Sequence, residues 1–127
     1  MKNDVEIGFK LWATTIPPKE ISRLTGIEPE VALLRGERNS ARDLPRQNLW
    51  SLRSSVQSDA VEDHWRDLER VLAEKKEILK EIAQTGSATI TLIVNSDSRI
   101  PPISIPPAMS AFAAFINATI EIDHLQH

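Results

Sequence analysis

No cysteine occurs anywhere in the 127 residues, which excludes disulfides, thiolate metal sites and a cysteine nucleophile. Tyrosine is absent too, which removes another common acid or base. Only four glycines are present, too few for a loop that cradles phosphate with its backbone. No stretch approaches the roughly 18 uninterrupted apolar residues of a membrane span. Residues Met1 to Glu6 carry an acid where a signal peptide would be apolar, and lipidation signals are missing from both ends. Neither sign of charge dominates: the net charge of -3 is too small to give the whole chain an affinity for nucleic acid or membrane. These absences set a reducing, cytoplasmic location as the expectation.

What is present fits a globular chain. Hydrophobic residues make up 41% and charged residues 26%, an ordinary balance with enough apolar mass to escape disorder. The length suits a single domain over residues 1–127.

The pattern along the chain alternates strands with helices. Val5, Ile7, Phe9, Leu11 and Ala13 alternate with Glu6, Gly8, Lys10, Trp12 and Thr14, the period of a half-buried strand. Pro17 and Pro18 open a short helix bearing Ile21 and Leu24, and Gly26 closes it. A second strand is predicted over Val31 to Arg35, turned away by Gly36, and a third over Leu49 to Ser54. Val61, Trp65, Leu68 and Leu72 form the stripe of an amphipathic helix, and Asp59 with Glu62 has the spacing of a capping box. A bend is expected at Glu74 to Glu77, then an apolar face of Ile78, Leu79 and Ile82, with Gly86 as the stop. Ala88 to Val94 reads as a strand. Pro106 and Pro107 start a helix carrying Met109, Phe112, Ala113 and Ile116, with Asn117 at its end. A last strand covers about Thr119 to Leu125, with Ile120 and Ile122 inward. The predicted order is β-α-β-β-α-β-α-β. It describes an α+β fold with helices on one face of a mainly antiparallel sheet, and its first six elements follow the split β-α-β order of ferredoxin-like folds.

Several phrases carry a resemblance when taken in order. They are Phe9-x-Leu11, Pro18-Lys19-Glu20-Ile21 leading to Gly26-Ile27-Glu28-Pro29, Gly36 with Glu37, Leu49-Trp50-Ser51-Leu52, Pro106-Pro107 and Ile120-Glu121-Ile122-Asp123. Over nearly its whole length the chain resembles the bacterial domain-of-unknown-function family numbered 4279. The resemblance implies a small standalone bacterial domain without an established activity. By analogy with other small families it admits an immunity protein set beside a toxin, and it transfers no catalytic residues.

The residues themselves point away from catalysis. His64 lies between Asp63 and Trp65 and reads as facing solvent or the helix border, with no second metal ligand except Asp67 at the following turn. Asp123, His124 and His127 form one compact group, but strand alternation sends Asp123 opposite to His124, so a histidine at the edge of the core is expected instead of a metal site. No nucleophile elbow exists, and Ser54-Ser55 stands in no recognisable relation to a histidine. The expectation is a protein that is not an enzyme, without cofactor or metal.

The departure from average lies between Arg35 and Arg53. Five arginines (35, 38, 42, 46 and 53) meet two acids there, Glu37 and Asp43, for a net +3 and no lysine. Arginine's planar fork matches carboxylates and phosphates, and a loop held by flanking strands is a plausible binding element. The alternative is a solvated loop that pairs with the acidic helix. Trp12 falls on the mixed face of the first strand, either as an exposed anchor or under a loop or second subunit. Arg35, Arg38, Arg42, Arg46 and Trp12 are therefore the candidate partner-binding residues. The expected function is a protein-binding domain, with an immunity-type inhibitor as one form of it. A homodimeric small-molecule-binding regulatory domain is the alternative. The expected partner is another protein, not a membrane, and nucleic acid is disfavoured because no aromatic platform is interleaved with the basic residues.

Overall fold

Alternation does build the first strand. The computed structural model describes residues 4–37, 46–96 and 102–126. Its first strand, β1 (Asp4–Trp12), buries Val5, Ile7, Phe9 and Leu11. Ala13, predicted to continue the strand, instead turns at φ 55° and is exposed. Helix α1 (Pro18–Thr25) starts on the proline pair and ends where Gly26, at φ 71°, returns its N–H to the Ser22 carbonyl. Strand β2 (Val31–Leu33) is shorter than predicted. Leu34 already accepts the Glu37 N–H across a turn that holds Gly36 at φ 77°.

Strand β3 (Leu49–Arg53) points Trp50 and Leu52 into the core. Helix α2 (Val61–Leu72) buries the predicted stripe. Its start differs from the expected capping box: the N-cap is Ala60, with no side-chain cap, because the helix begins one residue later than Asp59 requires. Ser58 organises the entry instead, accepting the Ala60 N–H and donating to Asp63. The bend predicted at Glu74 to Glu77 is a turn of 3-10 helix over Ala73–Lys75, followed by α3 (Lys76–Ala83). Strand β4 (Ser87–Ser96), α4 (Pro107–Ile116) and β5 (Thr119–Gln126) complete the order, with Asn117 in the left-handed conformation that ends α4.

The five strands lie in the order β2-β3-β1-β4-β5. Three pairings are antiparallel, and β4 with β5 is parallel. A parallel neighbour needs a crossover, and α4 provides it. One cluster joins Phe9, Trp50, Ile90 and Leu92 from the sheet to Ile21, Trp65, Leu79 and Phe112 from the four helices. All four helices thus share one face of the sheet. Lys76 and Lys80 place their Nζ atoms 4.8 and 4.9 Å from the Phe115 ring, which ties α3 to α4. Among the described residues no helix is long and apolar enough to cross a membrane.

Two tryptophans occupy the core as expected, but their N–H groups fare differently. Trp50 donates to Ser22 Oγ at 3.1 Å. Trp65, packed 5.3 Å from Phe112, has a buried Nε1 with no partner. An unsatisfied buried donor costs about 1–3 kcal/mol, and phenylalanine removes the donor along with part of the ring. Trp65→Phe is therefore expected to destabilise less than Trp50→Phe, by about 1 kcal/mol, in urea unfolding of the two variants side by side. Equal losses would mean that the Trp65 N–H is satisfied in solution.

Candidate functional site

Every described helix lies on one side of the sheet, and strand register decides what shares the other face. Trp12 pairs with Leu49 and Ser87, Lys10 with Ser51 and Thr89, and Leu33 with Leu49. Directly opposed residues in antiparallel strands project to the same face. Trp12, Lys10, Leu33 and Leu49 therefore meet at one corner, with Arg46 and Gln47 beside them, around a cleft of about 340 Å³. Trp12 is half-buried. Its indole lies across the sheet, donates to Thr89 Oγ1 at 3.0 Å, and leaves Thr89 only 4% exposed. Lys10 Nζ sits 5.3 Å from its ring centroid.

Asn48 ties the base of the arginine segment to this corner. Its Oδ1 accepts the Arg35 N–H at 2.8 Å, its Nδ2 donates to the Thr14 carbonyl at 2.8 Å, and its carbonyl accepts the Ala13 N–H. Arg35 and Arg46 are both exposed; Arg38 and Arg42 lie outside the described residues. Of the five predicted residues, Trp12 and Arg46 come together in one cleft. Lys10, Leu33 and Leu49 join them by strand parity, a signal that reading Trp12 alone does not exploit.

The arginines at the ends of the loop do not pair with the acidic helix. Carboxylates on α2 are engaged within it, Glu62 and Asp63 by Arg66, and Asp67 by Arg70. The helix lies on the opposite side of the sheet. Arg53 reaches Glu6 and Glu30 at 3.7 and 3.9 Å, long contacts between exposed groups that contribute little. Among the described residues Lys10, Arg35 and Arg46 make no ion pair. Elsewhere, hydrogen bonding from Arg23 holds the Glu20 carboxyl below the usual range. That pair lies within one turn at the surface of α1.

Strand β5 departs from its prediction. Ile122 was expected inward and is 47% exposed, because β5 is an edge strand and helix cover ends before it reaches this residue. His124, expected at the border of the core, is exposed as well. It pairs with Val94 and Asp123 with Ile93, so the two side chains project to opposite faces. His127 lies outside the described residues.

His64 corrects the sequence reading most sharply. It is 1% exposed, not solvent-facing. The apolar stripe is wider than four residues: position 64 lies three after Val61 and four before Leu68, on the same face. That spacing was the available signal. A polar ring is tolerated inside because both nitrogens are satisfied. Nε2 lies 2.8 Å from the Ser58 carbonyl, which can only accept, so the proton sits on Nε2. In the neutral ring Nδ1 is then an acceptor for the Ser54 hydroxyl, 2.6 Å away.

Ser54 stands where β3 leaves the sheet. Its N–H donates to the Ile7 carbonyl at 2.9 Å, and its Oγ, in place of its own carbonyl, accepts the Ile7 N–H at 3.0 Å. Beyond it residues 55–59 bend away, anchored by the Ser55 N–H to Asp67 Oδ2. A cavity of about 450 Å³ opens between this loop and the ends of β1 and β4; Ser54, His64, Glu6, Asp59 and Asn95 line it.

Comparison with curated proteins and with solved structures gives no match. A family profile described as Domain of unknown function (DUF4279) matches residues 3–127. The phrases that carry the resemblance, from the β1 alternation to the closing Ile120-Glu121-Ile122-Asp123, fall within that span, and the chain belongs to this family.

Proposed function

We propose that this domain acts by binding another protein through the face of its sheet opposite the described helices, at the corner formed by Lys10, Trp12, Leu33, Arg46 and Leu49. The observation that carries this reading is the coincidence of an apolar floor with cations that, among the described residues, pair with no carboxylate. A partner that presents acidic side chains around an aliphatic or aromatic knob would fill the cleft and neutralise Lys10, Arg46 and Arg35 together. Such complementarity raises association rates and makes them sensitive to salt. Trp12 is a suitable anchor because its hydrogen bond to Thr89 and its packing on the sheet hold it in place before the partner arrives.

We also read residues 4–96 as a ferredoxin-like unit. The order of the first four strands across the sheet, with their helices on one side, supports that assignment, and α4 with β5 is then an addition at one edge.

The test uses the purified domain as bait in its host's lysate at low and high salt, followed by affinity measurement with the recovered protein. Trp12→Ala and the double variant Lys10→Glu with Arg46→Glu are each expected to weaken binding at least about tenfold, equivalent to about 1.4 kcal/mol. High salt should weaken the wild type more than the charge-reversed variant. Unchanged affinity in both variants, with folding intact by circular dichroism, would remove this corner from the account.

A further inference from the structure

We propose that Ser54 is a reactive nucleophile that can take an acyl or phosphonyl group from an activated ester or fluoride, with His64 as its base. This goes beyond protein binding and lies at the opposite end of β1 from the Trp12 corner. Three features converge. A serine hydroxyl donates to an imidazole nitrogen at 2.6 Å. The far nitrogen of that imidazole is oriented by the Ser58 carbonyl. Ser54 and His64 both belong to the lining of the cavity of about 450 Å³. A nucleophile, a base within hydrogen-bond reach and a third group that fixes the base are the parts of an activated nucleophile.

The remaining contact fits the same chemistry. Ser54 Oγ donates its proton to Nδ1 and accepts the Ile7 N–H. Two of its three hydrogen-bonding positions are thus used, and one lone pair is left to attack. Negative charge gathering on Oγ would be met by the Ile7 N–H, whose direction is fixed by the β1 ladder. In the capture step the bond from Oγ to the acyl carbon or phosphorus forms while the Oγ proton moves to Nδ1. The leaving group departs with its electron pair and takes that proton from Nδ1. The imidazolium formed in between is held by the Ser58 carbonyl, and Glu6 and Asp59 face the same cavity. The step assigned is a single capture, not turnover.

The sequence hides this arrangement. Ser54 and His64 are ten residues apart, one at a strand end and one on a helix. No local motif marks them.

A fluorophosphonate probe tests the assignment directly, because serine attack on phosphorus expels fluoride and leaves a stable adduct. The wild-type protein is incubated with the probe, its intact mass is measured and the adduct is located by peptide mapping. One adduct per chain on Ser54 is expected, formed at least tenfold more slowly in His64→Asn and at the wild-type rate in Ser110→Ala, a change on the exposed face of α4. Thermal melts accompany each sample. Mapping is done on the wild type, so the location of the adduct is decided even where Ser54→Ala does not fold. No adduct on the folded protein, adducts spread over exposed serines, or equal labelling of a folded His64→Asn variant would each overturn the proposal and leave the pair as a structural hydrogen bond.

Discussion

Truncation of Trp50 to alanine is expected to lower the unfolding free energy by about 3–5 kcal/mol, read as a lowered urea midpoint with little change in slope. The residue is fully buried in β3. Its ring meets Phe9 edge-on with centroids 6.5 Å apart, and its N–H satisfies Ser22 on α1. Alanine opens a void between sheet and helix, removes the edge contact, and deprives Ser22 of its donor. A domain of this size holds only about 5–15 kcal/mol in total, so the variant would be marginal at physiological temperature. Trp50→Phe retains much of the volume and isolates the smaller hydrogen-bond contribution. A Trp50→Ala loss below about 1.5 kcal/mol would mean that this part of the core collapses to fill the space.

Gly86 carries the second large effect. The sequence offers it as a helix stop, yet α3 ends three residues earlier, at Ala83. Its importance is clearance. A methyl group on Gly86 would lie 2.6 Å from the carbonyl oxygens of both Trp12 and Ala13. Those oxygens are backbone atoms and cannot rotate away. Ala13 is also fixed by its N–H bond to the Asn48 carbonyl. Gly86→Ala is thus expected to cost about 1–3 kcal/mol, and Gly86→Val more. The strain falls where β1 hands over to the Trp12 corner, so the Trp12 indole resonance should shift as well. A melting temperature unchanged by Gly86→Ala would mean that the turn yields without cost.

Local elements were legible in the residues, and long-range relations were not. The alternation of β1, the prolines and glycine around α1, and the stripe of α2 are signals that a chain segment carries by itself. They failed where a distant group decides the outcome. The hydrogen bond that holds Trp12 was out of reach because its acceptor, Thr89, is 77 residues away. The burial of His64 was readable from its spacing to Val61 and Leu68, but its partner hydroxyl, on another element, was not. Ile122 looked buried because alternation reveals the face of a strand but not whether a helix reaches far enough to cover it. The capping box failed more narrowly: Asp59 and Glu62 have the right spacing, but the chain enters α2 through Ser58 and Ala60. Of the arginine segment, the described residues place Arg46 in the Trp12 cleft. That Lys10, Leu33 and Leu49 share this cleft required the strand register.

A five-stranded sheet with all its helices on one side separates the residues that hold the molecule together from those that meet the outside. Exposed substitutions away from special contacts usually change stability by less than about 0.5 kcal/mol. The exposed positions on the helix-free side, among them Arg53 and Glu121, can therefore be rewritten with little penalty to folding, whereas Thr89, buried beside Trp12, cannot. A scaffold arranged this way is free to diverge in what it recognises from one lineage to the next while its architecture stays constant.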